Sequence, residues 1–143
     1  MSSPDSSQQR SSLQGSPPPI PVLAAVIRRN HRYLLCLRPP GKRHGGLWEF
    51  PGGKLDAGES EREGVTRELR EELDVEVTAV GEVMFSRRDP GSAFVIHFLQ
   101  VEIRGEPRAL EHSQVGWFTV EEASRMRLAP SDAAFLKELA PDR

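Results

Sequence analysis

Between Pro51 and Leu73 the chain has little conformational choice. Pro51-Gly52-Gly53 dictates a tight turn, because adjacent glycines allow backbone conformations and close approaches that other residues resist. Ser60 and Glu63 have the spacing of a capping box, so a helix is predicted to begin at Glu61. Glu59 and Glu61 suit the positive end of its dipole. Val65, Leu69 and Leu73 recur every four residues and form the stripe that must be buried. At about 100° per residue, Glu68, Glu71 and Glu72 gather on a face about a quarter turn away. A fold containing this segment must pack one side of the helix and leave a carboxylate-loaded side next to a glycine turn.

Charged helix faces are ordinarily just solvated. The i,i+4 pairs Glu63–Arg67–Glu71 and Arg70–Asp74 account for Glu63 and Glu71. They leave Glu68 and Glu72 without basic neighbours, one turn apart. Two such charges about 5.5 Å apart repel by about 3 kcal/mol at an effective dielectric near 20. Solvent relieves most of that on an open face; a partly enclosed face needs a hard divalent cation, Mg2+ or Mn2+. Gly64 lies on the same face one turn earlier. It costs about 1 kcal/mol of helix propensity and is expected to leave room beside the carboxylates.

The 143 residues point to one domain. A net charge of −2 supplies no whole-chain basic field for long nucleic acid, although a local site for a small anion stays open. The single Cys36 excludes an internal disulfide framework and a multi-cysteine zinc site. Within Tyr33–Leu37 it reads as a buried, inert thiol. No apolar run approaches the roughly 18 residues needed to cross a bilayer, and no basic-then-apolar leader pattern opens the chain. A cytoplasmic protein with no membrane partner is therefore expected. Residues 1–19 are rich in Ser, Gln and Pro, with Met1 and Leu13 the only large apolar side chains. They read as a disordered tail ending in the stiff spacer Pro17-Pro18-Pro19, ahead of a folded domain over 20–143.

Apolar runs over Pro21–Ile27 and Tyr33–Leu37 predict a hairpin about the polar turn Arg28–His31. Residues 38–47 read as loop, Trp48–Phe50 as a short strand, and Val75–Ser86 with Ala93–Ile103 as a second strand pair. Val115–Thr119 predicts a further strand; Val120–Arg127 and Ser131–Leu139 predict helices.

The residues Gly53, Glu59, Arg67, Glu68, Leu69, Glu71, Glu72 and Val75 fall at the spacing Gly-x5-Glu-x7-Arg-Glu-apolar-x-Glu-Glu-x-Gly-apolar, with Asp74 in place of the second Gly. This segment resembles the Nudix box. The stretch Leu47-Trp48-Glu49-Phe50-Pro51-Gly52-Gly53-Lys54 is similar to the MutT-type branch of that family. Asp74 stands at the helix end, where a left-handed backbone is usual and Asp is tolerated less well than Gly. About 1 kcal/mol of stability is the expected cost, with the chemistry kept.

The resemblance implies an α+β fold, the Nudix α/β/α sandwich, with a mixed β-sheet and the box as loop–helix–loop. It implies a Mg2+-dependent hydrolase (Mn2+ substituting) that splits a nucleoside triphosphate into monophosphate and pyrophosphate. The expected substrate is an oxidised purine nucleotide such as 8-oxo-dGTP, a nucleotide-pool sanitation role. CTP, ADP-ribose or mere base recognition without catalysis are the alternatives. The implied metal ligands are Glu68, Glu71, Glu72 and the Gly52 carbonyl, with Arg67 orienting the carboxylates and Glu59 its partner.

Glu111, six residues before Trp117, corresponds to a metal-binding or base glutamate. The plainer alternative is an exposed loop acid, and His112 could serve in its place. Arg38 and Arg43 are implied phosphate contacts, or else solvated loop residues. Asp132 is implied to bond the base edge, against local capping of the last helix by Ser131 or Asp132. Phe50 and Leu23 line a base pocket or belong to the core, and Glu49, Pro51 and Gly52 complete the substrate-binding set. Trp48 and Trp117 read as packing residues. The implied partner is a small nucleotide, for a monomer or homodimer.

Overall fold

The apolar runs sort into two four-stranded sheets in a computed structural model that describes residues 18–139. Residues 1–17 of the expected tail, and residues 140–143, lie outside the described residues. The strands are β1 (Ile20–Val26), β2 (Arg28–Arg29), β3 (Arg32–Leu37), β4 (Trp48–Glu49), β5 (Gly52–Lys54), β6 (Glu76–Arg87), β7 (Phe94–Arg104) and β8 (Gln114–Phe118). The helices are α1 (Glu61–Leu73), α2 (Val120–Ala123) and α3 (Pro130–Leu139). One sheet runs β5-β1-β7-β6 and is mixed: β1 and β7 are parallel and the other pairs antiparallel. The other is antiparallel, with β3 as its hub between β4 and β8 and β2 continuing the hairpin tip.

The predicted hairpin of Pro21–Ile27 on Tyr33–Leu37 forms only at its tip. Arg28 and Arg29 pair Tyr33 and Arg32 around Asn30 and His31, both at positive φ. Beyond that point β1 leaves for the other sheet and pairs β7 along its whole length. The unbroken apolar run explains the departure, since β1 is covered on both faces. Leu23, Ala25 and Ile27 pack with Val65, Leu69 and Leu73 of α1. Ala24 and Val26 pack with Phe50, Phe98 and the α3 residues Phe135, Leu136 and Leu139. The layers are thus helix, sheets, helix.

Helix α1 starts as its sequence dictates: Ser60 Oγ accepts from the Glu63 N–H and the Glu63 carboxylate accepts from the Ser60 N–H. It ends at Asp74, which is left-handed (φ 58, ψ 44), with its N–H donating to the Arg70 carbonyl. The room expected beside Gly64 is already filled. A Cβ there would lie 2.5 Å from Leu55 Cδ1 and 3.3 Å from Leu23 Cδ1, so this glycine serves close packing of the helix. The helix predicted over Val120–Arg127 stops at Ala123. The chain then runs alongside β4, where the Trp48 N–H donates to the Arg127 carbonyl and the Ala129 N–H to the Trp48 carbonyl. That pairing sets the start of α3 against the end of β4.

Candidate active site

Gly52 and Gly53, expected as a tight turn, instead form β5 and pair Ala24 and Leu23 of β1, and this close approach requires the glycines. Gly52 has φ 153, and a Cβ on it would collide with the Leu23 carbonyl. A Cβ on Gly53 would lie 2.6 Å from the Glu68 carboxylate. The space beside the carboxylates is therefore provided by Gly53, not by Gly64.

Arg67 organises the box. Its Nε and Nη2 grip Glu59 Oε2 and Oε1 at 2.7 and 3.0 Å, a two-pronged contact suited to a guanidinium. Its Nη1 reaches Glu68 Oε2 at 3.0 Å and Glu71 Oε1 at 3.5 Å, and Nη2 donates to the Lys54 carbonyl. Arg67 thus ties the helix to β5. Its hydrogen bonds to Glu59 hold that carboxylate down to about 2 and raise the guanidinium further above its ordinary range. Two expected pairings are replaced. Glu63 is taken by the cap instead of Arg67, and Asp74 meets Arg108 at 3.1 Å instead of Arg70. Glu68 also has the partner that i,i+4 spacing could not supply, its own neighbour Arg67.

Glu72 is the buried member. It is 6% exposed, and Oε1 is buried without a hydrogen-bond partner. Burial first, then the hydrogen bond and charge of Glu68, then Glu49 and Glu111, push its pKa up to about 10. Among the described residues no three acidic, His or Cys side chains stand gathered in ligating geometry; Glu68 and Glu71 are drawn toward Arg67. The residues nonetheless fit a hard cation. The donor set is all oxygen, Glu72 presents a buried orphan acceptor, and Gly53 leaves the space beside Glu68 free of side chain. A cation would relieve the repulsion that now raises Glu72.

The loop between β7 and β8 runs along the end of α1: the Leu110 N–H donates to the Glu72 carbonyl and the Arg108 N–H to that of Leu73. Glu111 is exposed and close enough for its charge to act on Glu72. His112 turns the other way, with Nε2 2.9 Å from Glu49 Oε2. Arg38 Nη1 lies 3.3 Å from both Glu49 oxygens, and its Nε donates to the Arg43 carbonyl at 2.6 Å. Arg43 joins this network through its backbone; its side chain is exposed against His44.

Asp132 is 6% exposed, and its Oδ2 accepts from the Phe50 N–H at 2.9 Å, across the β4–α3 junction. It does not cap its own helix through this contact. Desolvation is the main cause that raises its pKa to about 8. Phe50 is 3% exposed and meets Phe98 and Phe135 edge-on. Leu23 lies on the opposite face of the sheet, in the α1 core, and so contributes packing and no pocket wall beside Phe50 and Asp132. Trp48 packs edge-on against Phe118, while Trp117 lies under Arg29. Cys36 is buried and its thiol pKa is pushed up by that burial, as expected for an inert cysteine. A concavity of about 540 Å³ lined by Arg28, Arg29, His31, Gln100 and Glu102 includes none of the site residues expected from the sequence. No helix among the described residues is long and apolar enough to cross a membrane.

Sequence reasoning missed the His112–Glu49 bond and the role of Gly53 as the spacer. Neither has a local signal, since each depends on partners brought together by the fold.

Known proteins are similar to this chain in sequence and in fold. The NUDIX domain model matches residues 17–139. The CTP pyrophosphohydrolase of Escherichia coli K12 is 41% identical over 121 residues, covering 82% of this chain and 89% of the relative. The 8-oxo-dGTP diphosphatase of Haemophilus influenzae is 30% identical over 125 residues, 84% and 90% of the two chains. Among solved structures, the E. coli ORF135 protein is similar at TM-score 0.75 and 40% identity, over 90% of this chain and 96% of that one. The MutT NUDIX hydrolase of Burkholderia pseudomallei is similar at 0.75 and 28%, over 86% and 99%. With a family model that spans the described residues and a relative 41% identical over most of both chains, the chain belongs to the Nudix family and is a Nudix hydrolase.

Proposed function

We propose that this hydrolase cleaves nucleoside triphosphates to a nucleoside monophosphate and pyrophosphate, using Mg2+ held by Glu68, Glu71, Glu72 and the Gly52 carbonyl. The observation that carries this reading is Glu72, a buried carboxylate with an orphan oxygen within reach of the charges of Glu68, Glu49 and Glu111. Bound there, the metal neutralises phosphate charge and lowers the pKa of water. The protein groups do the positioning. Arg67 keeps Glu68 and Glu71 oriented, the Gly52-Gly53 segment lets phosphate oxygens approach the backbone, and Arg38 meets the phosphate chain. Water adds to one phosphorus of the α–β anhydride as the bridging P–O bond breaks. Glu111, exposed beside Glu72, accepts the proton that water gives up.

On the base side, Glu49 is a hydrogen-bond acceptor. Asp132, with its pKa near 8, holds its proton at neutral pH and donates. A neighbouring acceptor and donor suit a base edge that offers an amino group beside an acceptor atom, as cytosine does. The 41% identity to a CTP pyrophosphohydrolase supports the same substrate. CTP is therefore placed ahead of the oxidised purine that the sequence favoured. The 30% identity to an 8-oxo-dGTP diphosphatase keeps 8-oxo-dGTP as the second reading.

The test is a screen of CTP, UTP, dGTP, 8-oxo-dGTP and ADP-ribose with Mg2+, separating pyrophosphate from orthophosphate release. CTP should give the highest kcat/KM, with CMP and pyrophosphate as products. Orthophosphate as the first product, or no turnover on any of these, would sink the proposal.

A further inference from the structure

We propose that His112 is a positioning residue for substrate selection. It fixes one oxygen of Glu49, so that the other faces the base in a single orientation. This rests on the reading of Glu49 as a substrate contact.

The topology creates the pairing. β3 is the hub of its sheet, with Glu49 on β4 opposite Cys36 from one side and Val115 on β8 opposite Cys36 from the other. The Ser113 N–H donates to the Leu37 carbonyl and extends that second edge. His112 is thereby carried over the end of β3, where its Nε2 comes within 2.9 Å of Glu49 Oε2. Arg38, the first residue after β3, approaches Glu49 from its own side.

The two partners do different things. Arg38 Nη1 is equidistant, 3.3 Å from each carboxylate oxygen, so it attracts Glu49 without choosing between them. His112 touches Oε2 alone. A carboxylate oxygen accepts, so Nε2 is the donor, and Oε1 is left with the freer lone pairs. The bond also accounts for an unfavourable feature of the histidine. Its ring is 7% exposed and Nδ1 is buried with no partner, an arrangement an apolar residue of similar size would avoid. The ring's single side-chain hydrogen bond is the one to Glu49. A residue kept only for packing has no need of it.

The test compares wild type with His112→Leu, His112→Phe, His112→Gln, Glu49→Gln and the double variant His112→Leu/Glu49→Gln. Each is assayed with Mg2+ on two matched pairs, CTP against UTP and 8-oxo-dGTP against dGTP, and melted to verify folding. On whichever pair the wild type turns over, the apolar variants should raise KM about tenfold, the size expected of one hydrogen bond to a charged group. Their kcat should stay within about threefold, and preference within the pair should shrink by the same factor as KM rises. His112→Gln, whose amide N–H can reach the same oxygen, should recover most of the loss. The double variant should be no worse than Glu49→Gln alone.

Equal losses in the Gln and apolar variants, additive losses in the double variant, or a fall in kcat at constant KM would each overturn the proposal. So would apolar variants that both fail to fold, since His112 would then be structural first. If Glu49→Gln leaves KM and preference unchanged, the substrate role of Glu49 is what fails, and this proposal goes with it. Absence of turnover in wild type overturns both along with the hydrolytic reading.

Discussion

Glu72 carries the sharpest conflict of any side chain here. The fold buries a carboxylate, leaves one oxygen without a partner and sets three more acids near it. Glu72→Gln should lower metal-dependent turnover on the order of 10³-fold, the scale seen when one directly stabilising group is removed. The same variant should melt at or above the wild-type temperature when no metal is added, because Glu72, with its pKa raised to about 10, must take up a proton to be buried, a cost the amide does not carry. Asp132 yields a pH prediction. Its folded pKa of about 8 lies above its ordinary 3.8, so the proton favours the folded state. That contribution is complete below about pH 4 and is lost as pH rises through about 8. Asp132→Asn has no proton to lose. Between pH 6 and 9 the wild-type melting temperature should therefore fall by several degrees relative to Asp132→Asn, as read by paired thermal melts. At this scale the sequence paired Glu59 with Arg67, a contact the fold makes. It did not reveal that Glu68 would fold onto its neighbour Arg67, a contact that depends on where Glu59 and β5 place the guanidinium. Nor could it assign Leu23 to a face, because the run Ile20–Ile27 has no apolar–polar alternation from which a face can be read.

Among the elements, α1 is the most completely written in its own residues: cap, buried stripe and left-handed end are all local features, and all appear at the expected positions. Asp74→Gly should relieve the left-handed strain by about 1 kcal/mol. Loss of the exposed Asp74–Arg108 pair offsets at most part of that. A small net gain is expected in urea unfolding, with kcat unchanged. The longer strands were located, but β2 and β5 were read as turns, and the strand partners were not foreseen. β1 and β3 looked like two arms of one hairpin and instead belong to different sheets, since pairing follows from how the apolar surface of the entire chain is divided. α2 is shorter than its sequence suggests because the residues after Ala123 turn to run beside Trp48.

In the molecule as a whole, α1 covers one side of the sheets and α3 the other. Metal held on the α1 side stabilises the folded state by mass action, about 2.7 kcal/mol at a free concentration one hundred times Kd. Saturating Mg2+ should accordingly raise the melting temperature of the wild type and not that of Glu72→Gln, measured by calorimetry in matched buffers. The overall class and layer order were legible because the box predicts them together. The meeting of Arg38, Glu49 and His112 was not, because it exists only once β4 and β8 flank the same strand.

Glu72 descends from α1 and Asp132 from α3, and the chain link nearest both is the pair Glu49–Phe50. On the proposed assignment, bond cleavage and base choice are thus inherited on separate pieces of the chain. Drift in α3 can retarget such an enzyme to another nucleotide while its hydrolytic machinery stays intact, and β4 is a segment where a change touches both, since the Glu49 charge acts on Glu72 and Asp132 alike.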